Sequence, residues 1–199
     1  MSGLPAASPL IVYLHGFNSS PASAKARHLQ QVLAGRGLAA HCACPALPDL
    51  PLDAVAAVEA VLAAHRGPVC FVGSSLGGFY ATHFAEKHDA RAVLVNPAID
   101  PHQGLRAYLG EQQNLHTGER YTLTERHLEQ WAALDAKRIN AERYLVLLET
   151  GDEVLDYRDA MVRYAGARQV VVEGGDHTLL SFPEHVPRIL AFAGLPAHG

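Results

Sequence analysis

Three side chains in this 199-residue sequence have the types and order needed for a serine nucleophile: Ser75, Asp152 and His177. Ser75 is the central residue of GSSLG at residues 73–77, which directly follows an apolar run at residues 69–72. A strand that leads into Gly-x-Ser-x-Gly and then a helix is typical of a nucleophile elbow, a tight turn that exposes the serine hydroxyl. The glycines are needed because strand and helix approach too closely there for side chains. The pattern predicts that Ser75 is a nucleophile.

A serine hydroxyl needs a neighbouring general base, and such a base is oriented by an acid. In the elbow arrangement the acid and then the histidine follow later strands of the sheet. Asp152 lies in TGDEV at residues 150–154, and His177 ends EGGDH at residues 173–177; each segment follows an apolar run. We predict that His177 is the base and that Asp152 orients it. Glu153 and Asp156 are the alternative acids, and a turn role is the alternative for Asp152.

An acyl-transfer site also needs two backbone N–H groups that stabilise the developing oxyanion. One is expected from Leu76, the residue after the nucleophile. The other is expected from Phe17, in the sequence HGFN at residues 15–18 that follows the first apolar run. We interpret His15 as a structural residue whose ring holds this loop by hydrogen bonds. Together these residues predict hydrolysis of an acyl substrate through an acyl-enzyme.

Short runs rich in valine and leucine alternate with helical patterns along the chain, which predicts a parallel sheet covered on both faces. The predicted strands are residues 10–14, 39–44, 69–72, 92–95, 144–148 and 169–172. The first predicted helix begins near residue 22, with Ser20 as its N-cap. Five more helices are predicted, at about residues 52–65, 76–88, 125–136, 157–164 and 184–192. Thr122 and Glu125 match a capping box that would begin the helix at about 125–136.

Residues 98–140 interrupt this alternation and form a long insertion, which in a compact domain usually carries function. We predict a small cap over the site; an ordinary crossover helix with a long approach loop is the alternative. Tyr108 and Tyr121 are candidates for an acyl pocket, as are Leu109 and Leu123. Core packing is the favoured interpretation of Trp131, which is spaced with Leu128 and Leu134 on one helical face. A small cap predicts a preference for short acyl chains.

The composition fits one globular domain over residues 1–199, since 49% of the residues are hydrophobic. A net charge of −4 provides no basic field for nucleic acid or an anionic membrane. No apolar stretch has the length of a membrane span, and Met1 to Pro9 lack signal-peptide features, so a cytoplasmic protein is expected. The twelve histidines and three cysteines lack metal-ligand or redox spacing, and no metal or other cofactor is predicted.

Five longer segments resemble the YqiA family of small bacterial esterases. They are YLHGFNSSP at residues 13–21, VGSSLGG at 72–78, VNPA at 95–98, TGDEVLDYR at 150–158 and VEGGDH at 172–177. The resemblance implies an α/β-hydrolase fold and esterase activity on small acyl esters or on acyl-CoA thioesters. It implies the same catalytic residues, Ser75, Asp152 and His177, that the motifs themselves predict.

Several functions remain open, because one fold can host different reactions. An acyl-CoA thioesterase would use the same triad with a different leaving group, and Lys25 and Arg27 could attract its phosphates; a solvated helix face is the simpler interpretation of these two residues. Carbon–carbon bond hydrolysis is a further possibility. A binding protein without turnover is the least favoured, since the triad and the oxyanion loop are complete.

Overall fold

The structure, a computed structural model, describes residues 8–196. Residues 1–7 and 197–199 lie outside this range, and with them most of the segment on which the signal-peptide expectation depends. The strands are β1 Leu10–Leu14, β2 Cys42–Ala43, β3 Val69–Ser74, β4 Arg91–Val95, β5 Gly110–Gln113, β6 Arg120–Leu123, β7 Tyr144–Glu149 and β8 Arg168–Val172. The helices are α1 Ala24–Gly35, α2 Pro51–Ala64, α3 Leu76–Lys87, α4 Pro101–Gly104, α5 Glu125–Leu134, α6 Tyr157–Arg163 and α7 Phe182–Ala193.

Six strands form one parallel sheet in the order β2-β1-β3-β4-β7-β8. The predicted α/β architecture is therefore confirmed. The chain first moves outward from β1 to β2 and then returns to β3 on the other side of β1. In open parallel sheets such a reversal leaves a crevice beyond the carboxyl ends of the strands, where ligands bind. The loops after β1 and β3 meet at this crevice.

The sheet separates two hydrophobic cores, because successive side chains of a strand point to opposite faces. In β1, Ile11 and Tyr13 belong to the core shared with α1 and α7, whereas Val12 and Leu14 belong to the core under α2, α3, α5 and α6. Every residue of β1 is buried. This explains why the central strands read as continuous apolar runs rather than as an alternating pattern.

The predicted N-caps of two helices were wrong, each for a local reason. Helix α1 begins after Ser23, since Ser20 instead organises a separate turn in which its hydroxyl accepts a hydrogen bond from Ala22 N at 3.2 Å. Helix α5 is capped by Thr124 rather than Thr122, which lies within strand β6. The partner in this capping box is His127, whose Nδ1 accepts a hydrogen bond from Thr124 N at 3.1 Å. An imidazole there takes the place of the usual Glu or Gln.

The predicted strand at residues 39–44 is also shorter, since residues 39–41 form a 3₁₀ turn before β2. The insertion contains an antiparallel hairpin, β5–β6, that the sequence pattern did not predict. Most of its residues are polar and exposed. Among residues 8–196, no helix is both long and apolar enough to cross a membrane.

Candidate active site

Ser75 occupies a strained turn between β3 and α3. Its backbone angles, φ 55° and ψ −122°, are unusual for a residue with a side chain. Three backbone hydrogen bonds hold this conformation: Ser75 N donates to Val95 O at 3.0 Å, and Ser75 O accepts Gly78 N at 2.8 Å and Ala98 N at 3.0 Å. Such strain persists only where the surroundings fix it, and it is concentrated at functional sites. The structure thus has the elbow geometry expected from GSSLG.

The glycines of the elbow are required by close backbone approach. A Cβ at Gly73 would collide with the carbonyl of Gly77, and one at Gly77 would collide with the carbonyls of Leu14 and His15. These obstacles are backbone atoms of buried elements, so they cannot move aside as the end of a flexible side chain can.

We expect Gly77→Ala to lower the free energy of unfolding by about 1–3 kcal/mol, as overpacking of a well-packed interior typically does. Urea denaturation followed by circular dichroism measures this. The matched control is Gly35→Ala at the end of α1, where an added Cβ meets nothing within 4 Å; its stability should be unchanged or increased by up to about 1 kcal/mol. Equal stability of the two variants would contradict the packing argument.

The structure brings Ser75, His177 and Asp152 together from the ends of β3, β8 and β7. His177 Nε2 lies 3.0 Å from Ser75 Oγ. His177 Nδ1 lies 2.8 Å from Asp152 Oδ2 and 2.9 Å from Asp152 Oδ1. With Nδ1 protonated, the ring donates to Asp152 and accepts from the Ser75 hydroxyl, which is the tautomer that a general base requires.

Asp152 is the acid that contacts the imidazole, and its side chain is only 2% exposed. Burial raises the pKa of this carboxyl, but hydrogen bonds from His177, Leu155 N and Val154 N outweigh burial and lower the pKa below its usual value. Asp152 is therefore ionised at neutral pH. It can stabilise a protonated imidazole without itself taking the proton.

The two alternative acids serve other contacts. Glu153 Oε2 accepts the backbone N–H of His177 at 3.0 Å and does not contact its ring. Asp156 caps α6 by accepting Arg158 N at 2.9 Å and forms an exposed ion pair with the same arginine. Among the described residues, only Asp152 is within hydrogen-bond distance of His177 Nδ1.

The loop after β1 is held from two sides. His15 is buried, and its ring donates from Nδ1 to Gly16 O at 3.1 Å and accepts Leu47 N on Nε2 at 3.0 Å, which confirms its predicted structural interpretation. Burial lowers the pKa of His15, so the ring stays neutral as these two bonds require. Asn18, with a positive φ of 50°, accepts the Tyr121 hydroxyl at 2.6 Å.

This loop places Phe17 beside Ser75, where both residues line the same cavity with Leu76. Leu76 is the first residue of α3, so its N–H has no acceptor within the helix. Within residues 8–196, neither Leu76 N nor Phe17 N donates a hydrogen bond to another residue. Two backbone donors are thus available to a ligand beside the Ser75 hydroxyl.

A cavity of about 350 Å³ opens over Ser75 and His177. The segment at residues 98–108, which begins the insertion and includes α4, supplies much of its lining. The lining is largely apolar and includes Phe17, Leu76, Ala98, Ile99, Pro101, Leu105, Tyr108, Val154 and Leu155. A second cavity, about 250 Å³, is also lined by Ser75 and His177, and its lining is more polar, with Asn18, Ser19, Lys25, His116 and Thr178.

The candidates for the acyl pocket separate in the structure. Tyr108 lines the apolar cavity, 48% exposed and edge-on to the Phe17 ring at 5.5 Å. Tyr121 does not line this cavity. Its ring is edge-on to the Phe17 ring at 6.5 Å, and its hydroxyl donates to Asn18 Oδ1. Leu123 and Trp131 are core residues, and the Trp131 ring N–H donates to the Tyr80 hydroxyl at 2.8 Å.

Two residues near the site were missed by sequence reasoning: Glu149, at the end of β7, and Asn96, directly after β4. Both are buried and bind the loop that carries His177. The sequence did contain a signal for Glu149, because it is an ionisable residue at the end of an otherwise apolar strand. A buried carboxylate must be compensated by hydrogen bonds.

For cofactors, residues 8–196 place no group of three or more His, Cys, Asp or Glu side chains where they could hold a metal ion.

The fold is that of the α/β hydrolases. Alpha/beta hydrolase domain-containing protein 10 from mouse superposes with a TM-score of 0.68, at 16% identity, over 94% of this chain and 90% of that chain. Est1E from Butyrivibrio proteoclasticus superposes with a TM-score of 0.65, at 16% identity, over 96% of this chain and 87% of that chain. A monoacylglycerol lipase from Paleococcus ferrophilus also gives 0.65, at 15% identity, over 95% and 96%.

Within this class, the chain belongs to the family described as Uncharacterised protein family (UPF0227), whose sequence pattern matches residues 10–194. Its relatives include the UPF0227 protein YcfP of Salmonella gallinarum, 27% identical over 94% of this chain and 99% of the relative. A UPF0227 protein of Serratia proteamaculans is 28% identical over 94% of this chain and 100% of the relative. The family resemblance of the sequence motifs is thereby confirmed.

Proposed function

We propose that this protein is a serine hydrolase of small carboxylic esters. The observation that carries the proposal is the continuous hydrogen-bond chain from Ser75 Oγ through His177 to Asp152. The Ser75 end of this chain lies beside two available backbone N–H donors and an apolar cavity. A nucleophile, a base, an orienting acid and oxyanion donors around one space are the parts that acyl transfer needs.

The proposed reaction has two halves. Ser75 Oγ attacks the acyl carbonyl carbon while His177 Nε2 takes the hydroxyl proton, and the Leu76 and Phe17 amides stabilise the tetrahedral oxyanion. His177, its charge balanced by Asp152, returns the proton to the leaving oxygen, and the carbon–oxygen bond breaks. Water, deprotonated by the same imidazole, then attacks the acyl-enzyme and releases the acid and Ser75.

The apolar cavity is proposed as the acyl pocket. Its volume of about 350 Å³ lies near the small end of the range of about 300–1,000 Å³ usual for ligand sites. Tyr108 and Leu105 form part of its lining. This favours short acyl chains, as the size of the insertion had suggested. The more polar cavity with Lys25 would then receive the leaving group.

The test is a panel of 4-nitrophenyl esters from acetate to palmitate, with acyl-CoA thioesters of the same chains. We expect hydrolysis of the acetate and butyrate esters and a decline for long chains. No hydrolysis of any ester by folded, homogeneous protein would contradict the proposal. If only the thioesters were hydrolysed, the ester assignment would be wrong and the thioesterase alternative supported.

The acyl pocket itself can be tested with Leu105→Trp. The larger ring should fill the cavity, so that kcat/KM for the butyrate ester falls more than that for the acetate ester. The loss of room for one or two methylenes corresponds to a change of about tenfold or more in the ratio of the two. Leu115→Trp, at a position that is highly exposed, should leave the ratio unchanged. An unchanged ratio in Leu105→Trp would place the acyl chain elsewhere.

A further inference from the structure

A second buried carboxylate near the site accepts four hydrogen bonds and is not part of the catalytic triad proposed above. Glu149, the last residue of β7, is 1% exposed. A buried carboxylate is costly unless its oxygens are satisfied by donors. Its environment therefore shows what the fold holds in place at this point of the sheet.

All four side-chain bonds of Glu149 go to residues 176–181, the segment that contains His177. Oε2 accepts the backbone N–H of Asp176 at 2.8 Å and that of Leu180 at 3.0 Å. Oε1 accepts Ser181 N at 2.8 Å and Ser181 Oγ at 2.6 Å. Burial raises the pKa of Glu149, but these bonds outweigh it and lower the pKa, so the side chain is ionised and can accept on both oxygens.

The same loop is also bound by Asn96, directly after β4. Its Nδ2 donates to the carbonyl oxygens of Asp176 at 3.0 Å and His177 at 3.2 Å. Its Oδ1 accepts Glu149 N at 3.1 Å, which joins the two residues into one unit. Gly175 completes the fit, because a Cβ there would overlap the Glu149 carboxylate.

We propose that Glu149, supported by Asn96, is a positioning residue that fixes the His177 imidazole between Ser75 and Asp152. Glu149 binds backbone N–H groups on both sides of His177 in the chain, and Asn96 donates to the carbonyl oxygen of His177 itself. The sheet ends of β4 and β7 thereby set the height of the loop above Ser75. Displacing a catalytic group by about 1 Å can cost about 10²-fold in rate. The inference rests on the proposed function, since it concerns the group assigned as the base.

The test compares Glu149→Ala and Glu149→Gln with Glu173→Ala. Alanine removes both acceptor oxygens of the carboxylate. Glutamine keeps one of them, so it can still accept some of the four hydrogen bonds. Glu173 is exposed in the same loop region, next to β8, so its substitution removes a like charge without disturbing these bonds. Sites that react with a fluorophosphonate are counted by mass spectrometry. The ester hydrolysis rate is then expressed per reactive site.

We expect kcat per site to fall about 10²-fold in Glu149→Ala, with KM changed less than threefold and Glu149→Gln lying between this variant and wild type. Glu173→Ala should stay within twofold of wild type. A residue that only maintained stability would reduce the number of reactive sites while leaving the rate per site normal. That result, in either Glu149 variant, would overturn the proposal.

An activity-independent measurement separates this inference from the proposed function. In wild type, the proton on His177 Nδ1 should give a deshielded NMR resonance, assigned by its loss in His177→Ala, because it is hydrogen-bonded to Asp152. We expect this resonance to be lost or broadened in folded Glu149→Ala and weakened in Glu149→Gln. If wild type hydrolyses no ester but this pattern is found, the proposed function fails and the positioning role stands. A resonance unchanged in both variants would overturn the role.

Discussion

Ser75→Ala is expected to lower kcat for the 4-nitrophenyl butyrate ester by about 10⁶-fold, the loss seen when a triad loses its nucleophile. The methyl group cannot form the acyl-enzyme, while the oxyanion donors and the cavity stay in place. The residual rate should therefore remain above that in buffer. Alanine is tolerated structurally, since Ser75 makes its elbow contacts through backbone atoms.

The adjacent Ser74 provides the control for this variant. Its side chain lies in β3 and it has no glycine two residues before it, so Ser74→Ala should retain activity within about tenfold of wild type. Stopped assays with long incubation measure the slow variant, and circular dichroism verifies its fold. Hydrolysis by Ser75→Ala at the wild-type rate would end the triad assignment.

Asp152→Asn is expected to lower kcat by about 10⁴-fold with little change in fold. The amide has nearly the same shape, but its NH₂ group can donate to His177 Nδ1, which would then accept. The proton would move to Nε2, the nitrogen that must be free to take the proton from Ser75. The variant thus tests the tautomer that the distances of 2.8 and 2.9 Å imply.

Asp156→Asn is the matched control, because Asp156 caps α6 and asparagine caps a helix about as well. Its kcat should be within about twofold of wild type. The two variants are compared at several pH values with the same ester. A loss below tenfold in Asp152→Asn would mean that Asp152 does not set the imidazole tautomer. An equally large loss in Asp156→Asn would contradict the assignment of that role to Asp152.

Much of the sheet was predictable because its central strands are buried on both faces. The bounds of β1 were predicted correctly, and β3, β4, β7 and β8 differ by at most two residues at either end. Such strands appear in the sequence as unbroken apolar runs, which must be buried when the chain folds. The relative placement of Ser75, Asp152 and His177 was also predictable, since each follows a run and parallel strands end at the same edge.

Other features depend on interactions that a pattern does not contain. Strand β5 of the hairpin has the sequence GEQQ, which has no apolar alternation to identify it as a strand. The cap of α5 uses an imidazole where the usual signature has a carboxylate or amide. The role of Glu149 depends on backbone donors of a loop 27 to 32 residues away in sequence, which only the folded chain brings to it.

The most direct test of the central claim is labelling with a fluorophosphonate, read by intact mass and peptide mapping. Such a probe bonds to a serine whose hydroxyl is activated by a base, and it does not require the natural substrate to be known. We predict one adduct per chain, on Ser75, absent from Ser75→Ala and strongly slowed in His177→Ala. A folded wild-type protein that forms no adduct, or forms it on another residue, would contradict the account.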